Sequence, residues 1–317
     1  MISVVICTYN RAAYLEQTLS TFFRQEHLDR VPHELIVVDN NSSDATPEVV
    51  QQFGSHKALH YHFESKQGLS RARNRGVAES RGEIIAYLDD DVLISPGWLG
   101  AVASCFEQTG SDVVGGRSIL RFEAQPPGWF GPEFRRSLSE VDLGPLRIDA
   151  GKGQRLYGLN VSYRRKALVD AGGFRLHFGR SGGKLISGEE LDLNRRIADG
   201  GGRLTYEPDA LVEHVIPESR TTWEYMLKLQ QGAVETRAML DEGGNAATCL
   251  KHLADTAARL ALFKIMRAAS HFQGADSYAA RLAQVRHMKA SLLLDKRIEA
   301  LTRSLVPSKP PTRAGDE

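Results

Sequence analysis

Cysteine is scarce in this chain: there are three in 317 residues, Cys7, Cys105 and Cys249, far apart and without a C-x-x-C pair. That spacing offers neither a zinc site nor a disulfide framework. Net charge is nearly absent too, with 40 Lys+Arg against 39 Asp+Glu. No global field is available to hold a polyanion, so no nucleic acid is expected as a partner. No apolar run is long enough to span a bilayer, and residues 1–7 lack the basic flank and small-residue cleavage site of a secretion signal. A cytoplasmic protein is expected, with peripheral contact at the inner face of the membrane as the variant. Two nucleotide motifs are also missing: the first apolar run is not followed by G-x-G-x-x-G, and Gly182-Gly183-Lys184 is only a fragment of a P-loop. Dinucleotide oxidoreductase and P-loop hydrolase readings lose their support.

What is present is alternation. Short β-branched apolar runs (2–7, 34–39, 59–64, 83–89, 112–120) alternate with helix-period segments (13–25, 46–53, 70–80, 96–109), which predicts an α/β fold with a mostly parallel sheet flanked by helices. Residues 121–155 interrupt this with four prolines and five glycines, the composition of a long functional or disordered loop. A strand (157–163), a short helix from 165, a glycine-rich loop (179–188), a helix (189–198) and two strands (203–206, 210–216) are expected next. The rest is helical and basic: residues 251–317 hold twelve Lys+Arg and six Asp+Glu. The organisation expected is a catalytic domain over 1–216, with a donor half (about 1–120) and an acceptor half (about 121–216). A helical C-terminal extension (217–306) and a disordered tail (307–317) complete it.

In an open α/β sheet, ligands bind beyond the carboxyl ends of the strands. Those ends are polar here: Thr8-Tyr9-Asn10-Arg11, Asp39-Asn40-Asn41-Ser42-Ser43-Asp44 and Asp89-Asp90-Asp91. Asn10, Ser43 and Asp44 equally suit helix caps. Three adjacent carboxylates repel one another and resist desolvation, so a cation belongs nearby, and a hard divalent ion such as Mn²⁺ or Mg²⁺ fits oxygen ligands facing phosphates. Alternation along an extended segment would let Asp89 and Asp91 share a direction that Asp90 does not. Arg71, Arg73 and Arg75 at the start of the 70–80 helix supply one or two guanidinium groups for an anion. A metal clamp and an arginine at one sheet edge describe a nucleotide-diphosphate site.

Taken in order, Val4 to Arg11, Val37 to Asp44, Gly68 with Ala72-Arg73-Asn74, Leu88 to Asp91, Asn160, Gly172-Gly173-Phe174, Gly188 to Leu193 and His214 resemble the inverting glycosyltransferases of family 2, which have the GT-A fold. The resemblance covers about residues 1–216. It implies a nucleotide-sugar donor held by Thr8, Tyr9, Asn10 and Arg11, and by Asp39 on the uracil imide N–H. Arg71 or Arg73 would lie near base and pyrophosphate, with Asp89, Asp90 and Asp91 forming the D-x-D region. Asp91, Asp89 and His214 become candidate metal ligands. The family's usual Glu-Asp pair is Glu189-Glu190 here, so Glu190 is the expected general base, with Glu189 and Asp192 as substitutes.

Trp129 and Phe130, in the 121–155 loop, are candidates for binding a glycan, lipid-linked or small-molecule acceptor, against the plain alternative of core packing. The glycine-rich loop with Arg180 and Lys184 suits a lid over the donor. The basic C-terminal helices could serve peripheral membrane contact, a homodimer or packing on the catalytic domain. Two competing functions remain at this level, a catalytically silent nucleotide-sugar-binding module and a nucleotidyltransferase of related fold. The first is opposed by the intact acids, and the second by the lack of a glycine- and lysine-containing loop after the first strand.

Overall fold

The structure, a computed structural model, describes residues 1–151, 156–180, 182, 185–241, 246–270 and 277–305. The expected tail at 307–317 and the proposed lid residue Lys184 lie outside them. The chain divides into two compact units, Met1–Leu229 and Gln230–Glu317.

In the first unit the strands are β1 (Ile2–Thr8), β2 (His33–Asp39), β3 (Leu59–Phe63), β4 (Ile84–Asp89), β5 (Val92–Ile94), β6 (Val113–Phe122), β7 (Ile148–Asp149), β8 (Asn160–Arg164) and β9 (Leu204–Ile216). They form one sheet in the order β3-β2-β1-β4-β8-β6-β9-β5, with β7 paired to β9. The β3-β2-β1-β4 half is parallel, as is β6 with β9, whereas β8 runs antiparallel between β4 and β6. The helices packed around the sheet are α1 (Ala12–Phe22), α2 (Thr46–Gln52), α3 (Leu69–Glu79), α4 (Trp98–Thr109), α5 (Pro132–Ser137), α6 (Arg165–Asp170) and α7 (Glu189–Asp199).

Alternation along β1 sorts its side chains between two cores. Ile2, Val4 and Ile6 join Leu15, Leu19 and Phe22 of α1 and Trp98, Leu99 and Phe106 of α4. Val5 joins Ala72 of α3, Phe174, and Leu193 and Ile197 of α7. Burial on both faces is why the central strands read as unbroken apolar runs. It also places α3 and α7 on one face of the sheet, with their first turns at the end where β1, β2 and β4 finish.

Several local expectations change. The two strands expected at 203–216 are one continuous strand, β9, which turns past a register shift opposite Gly116 and Ser118. Helix α4 starts at Trp98 with Gly97 at its cap position, two residues after the expected Pro96 start. The 121–155 segment contains α5 and β7. The bend in β9 is held by Asn160. Its Nδ2 donates to the Ala210 carbonyl (2.7 Å) and the Arg117 carbonyl (3.1 Å), and its Oδ1 accepts from Trp98 Nε1 (2.9 Å). A Cβ on Gly116 would stand 2.2 Å from both Ala210 O and Asn160 Nδ2, so the crossing has room for glycine alone.

The second unit follows the end of α8 (Trp223–Asp241) with α9 (Ala246–Ser270) and α10 (Tyr278–Leu305). Arg297 ties these helices together through Asp241 (2.6 Å) and the His252 carbonyl (2.8 Å). Leu250, Leu262 and Ile265 of α9 are exposed. Among the described residues, no helix is long and apolar enough to cross a membrane.

Asn160→Ala should leave a buried indole N–H and two carbonyls unsatisfied, at a cost of about 2–4 kcal/mol. Thermal melting should show a Tm lower by roughly 5–10 °C for a domain of this size. An unchanged Tm would mean that Asn160 does not hold the crossing.

Candidate active site

The turns after β1 and β2 are sewn together. Asn10 adopts a left-handed conformation (φ 51°), donates its N–H to Ser42 Oγ (3.0 Å) and accepts from Ser43 N–H (2.7 Å). Asp44 accepts from Ala12 N–H (2.9 Å) and from Thr46 N–H and hydroxyl, so it caps α1 across the turn while bracing α2. Slight burial would raise its carboxyl, but these hydrogen bonds outweigh that and hold it below the ordinary range. Asn10 is thereby engaged in the clamp. Asp39, fully buried, accepts from Tyr61 hydroxyl (2.7 Å) and Ser42 N–H (2.8 Å).

The acid run does not alternate. Strand β4 ends at Asp89, and a turn at Asp90-Asp91 swings the next two carboxylates to one cation: Arg11 Nη1 lies 3.1 Å from Asp90 and 2.7 Å from Asp91. Thr8 hydroxyl donates to Asp90 (2.7 Å). The grouping is therefore Asp90 with Asp91, which corrects the expected pairing of Asp89 with Asp91: alternation holds only while the backbone stays extended. Burial, with Asp91 adding to it, pushes Asp90 up to about 6 against the pull of Arg11. Burial also opposes the Asp91 charge, yet His214, Arg11 and Arg220 together hold that carboxyl well below the usual range.

His214 arrives because β9 pairs antiparallel with β5, matching His214 to Val92 immediately after the acids. Its Nε2 lies 3.3 Å from Asp91 Oδ2. Arg220, in the short 3₁₀ turn Glu218–Thr221, lies 3.0 Å from the same oxygen and 3.2 Å from His214 Nε2. Its Nδ1 lies 2.9 Å from the Leu138 carbonyl, so Nε2 is left facing both Asp91 and Arg220. A ligating histidine is oriented by a hydrogen bond from its other ring nitrogen to a carbonyl or carboxylate, and the Leu138 carbonyl stands beside Nδ1. Asp91 Oδ1 is buried without a hydrogen-bond partner. Among the described residues no group of three or more His, Cys, Asp or Glu side chains could hold a metal ion; Asp91 and His214 are the pair that stands together, whereas Asp89 turns away from them toward Arg73.

Helices α3 and α7 bring the remaining charges. Arg73 is buried, 2.5 Å from Glu189 and 3.4 Å from Asp89. Arg71 is exposed and forms no ion pair among the described residues. Asp192 is held by Arg175 (3.2 Å) and Arg196 (2.8 Å). Glu190 is buried with no side-chain partner among the described residues. Burial first, then the neighbouring Glu189, pushes its carboxyl up to about 8, while Arg73 pulls the other way.

A cavity of about 310 Å³ opens at these strand ends. Thr8, Tyr9, Arg11, Asp89 and Asp90 line it, as do Asn40, Gly68, Arg180 and Arg220. Asn10, Asp39, Asp91, Arg73, His214 and Glu190 lie outside the lining, and several of them hold lining residues in place. Cys7 also lines it, but burial pushes the thiol up to about 12, which makes it an inert wall rather than a nucleophile. Sequence reasoning missed Arg220, which sits in no motif; its position six residues after His214 acquires meaning only through the β5–β9 pairing. Trp129 and Phe130, expected on the acceptor, are buried in an aromatic cluster with Phe122, Phe134 and Trp223. The loop's rings build a small core there, and the packing role displaces the acceptor role.

A GT-A sheet with acids and arginines at its strand ends is the site of a glycosyltransferase. The sequence profile of Glycosyl transferase family 2 matches residues 3–170, and the chain belongs to that family. Among curated relatives, the glucosyl-dolichyl phosphate glucuronosyltransferase of Haloferax volcanii is 28% identical over 71% of this chain and 72% of its own length. Among solved structures, a mannosyltransferase from Pyrobaculum calidifontis in complex with GDP-Man and Mn²⁺ superposes with TM-score 0.58 at 19% identity, over 98% of this chain and 76% of that one. S. aureus TarS in complex with UDP-GlcNAc superposes with TM-score 0.55 at 17% identity, over 78% of this chain and 69% of that one. At such identities the two structures speak for the fold.

A carboxyl raised from 4.5 to about 8 on folding binds its proton more tightly in the native state, so stability falls as pH climbs through that window. Glu190→Gln removes the effect. The Tm advantage of the variant over wild type should grow between about pH 5 and 8; parallel Tm–pH curves would show that Glu190 titrates normally.

Proposed function

We propose that this glycosyltransferase is a metal-dependent, inverting enzyme that moves a sugar from a nucleotide-diphosphate donor, UDP-sugar in the first instance, to a hydroxyl acceptor in glycan, polysaccharide or glycolipid synthesis. The observation that carries the reading is the sorting of acids at the start of α7. Glu189 is tied to Arg73 and Asp192 to two arginines, while Glu190, alone of the three, has no ion pair among the described residues. A base must be able to take a proton, and a proton affinity near neutral pH suits that task.

In this reading the acceptor hydroxyl attacks the anomeric carbon opposite the departing nucleoside diphosphate and gives its proton to Glu190. Asp39 would receive the imide N–H of the base, and Thr8, Tyr9 and Asp89 would line the nucleoside. Asp91 and His214 would hold the divalent cation, which supplies charge stabilisation to the leaving diphosphate. Arg11 and Arg220, now counter-ions of Asp91, border the same cavity and reach the phosphate region. The cytoplasmic side of a membrane is the proposed workplace, on the composition of the chain and its basic C-terminal helices.

Thermal shift against UDP, GDP, dTDP and CDP, each with and without Mn²⁺ or Mg²⁺, tests the donor site. Ligand at a hundred times its Kd should stabilise by about 2.7 kcal/mol, and UDP with metal should give the largest shift. Silence with every nucleotide would refute the reading. On the donor so identified, Glu190→Gln should lower the transfer rate by about 10²–10⁴-fold while leaving nucleotide binding intact, and wild-type turnover should rise with pH toward about 8. A fully active variant would remove Glu190 from the role.

A further inference from the structure

Arg73 is placed in an unusual way for a residue at a nucleotide site. Its side chain is 3% exposed, while the Asp89 carboxylate beside it is 38% exposed. The guanidinium sits between two rings, 5.7 Å from the Tyr87 centroid and 5.5 Å from Phe174. Tyr87 hydroxyl also donates to the Arg73 carbonyl (3.0 Å), fixing the helix that carries it. Behind it, a Cβ on Gly158 would come within 2.3 Å of Nη2, so the chain leaves glycine there to admit the head group. From this socket Nη1 reaches Glu189 on α7 (2.5 Å) and Nη2 reaches Asp89 at the end of β4 (3.4 Å).

We propose that Arg73 is a positioning residue and not a donor ligand: it latches the first turn of α7, and with it Glu190, to the β4 end where the donor binds. The inference rests on Glu190 as the base. A guanidinium fork suits this bridge because it bonds two carboxylates in one plane while its faces stack on aromatics. Asp89 is the exposed member of the chain of contacts, so the latch leaves the donor edge free while the rest stays dry. Glu189 then acts as the counter-ion that gives Arg73 its grip on α7, and its second oxygen, Oε2, is buried with no partner. Removing Arg73 alone would leave Glu189 buried and unpaired, which is costly. The double variant Arg73→Met/Glu189→Met removes both charges and keeps the volume.

The test pairs amide hydrogen exchange with UDP–Mn²⁺ calorimetry on the full chain. In Arg73→Met and in the double variant, exchange at the Asp192 amide, which closes the first turn of α7 on the Gly188 carbonyl, should quicken by more than about tenfold. Arg73→Lys, able to reach Glu189 as a point charge, should keep most of the protection. The UDP–Mn²⁺ Kd should stay within about twofold of wild type in all three. Unchanged exchange at Asp192 in both methionine variants would overturn the latch, as would a UDP affinity lost tenfold or more in Arg73→Met. If wild type itself binds no UDP, the donor reading fails while the exchange result still decides the latch.

Discussion

Burying like-charged carboxylates is the constraint around which this site is organised. Asp90, Asp91, Glu189, Glu190 and Asp192 are each at most 7% exposed at one end of a sheet, where desolvation penalises every charge. The fold answers by recruiting a cation for most of them, and each cation comes from a different stretch of chain. Arg11 follows β1, Arg220 follows β9, Arg73 lies on α3, and Arg175 precedes α7. A pair broken at any of these points leaves an uncompensated buried charge, so the electrostatics of the site and the register of the sheet support one another.

The same constraint divides the acids by role. Those that are paired are held in place by their cations, though Asp91 keeps one oxygen without a hydrogen-bond partner. Glu190, without an ion pair among the described residues, holds its proton to about pH 8. Two electrostatic groups result. One, built on Asp90 and Asp91, borders the cavity from below; the other, built on Arg73 and Glu189, stands beside it on the face of α3 and α7. Asp89 touches the second and lines the cavity, which makes it the residue through which donor and base share a wall.

Much of this was legible in the chain itself. The alternation of β-branched runs with helical segments announced the α/β sheet, and the polar strand ends Thr8 to Arg11 and Asp89 to Asp91 marked the cavity, because residues that close parallel strands have no other place to go. The partners were less readable. That Arg73 faces inward follows from the packing of α3 on β1 and β2, and three arginines at alternate positions do not reveal which one is buried. Arg220 and His214 reach Asp91 through a β5–β9 pairing more than a hundred residues apart. Trp129 and Phe130 looked like a sugar platform in a glycine- and proline-rich loop; the cluster they form with Trp223 depends on a helix far along the chain.

In the proposed reaction the acids at the strand ends trade protein cations for a metal and a nucleotide. A crystal structure with UDP and Mn²⁺ tests it most directly. The claim predicts Mn²⁺ on Asp91 and His214, with Arg220 drawn off Asp91 to the diphosphate and Arg73 still on Glu189. Mn²⁺ bound away from Asp91, or a diphosphate held by Arg73, would contradict it.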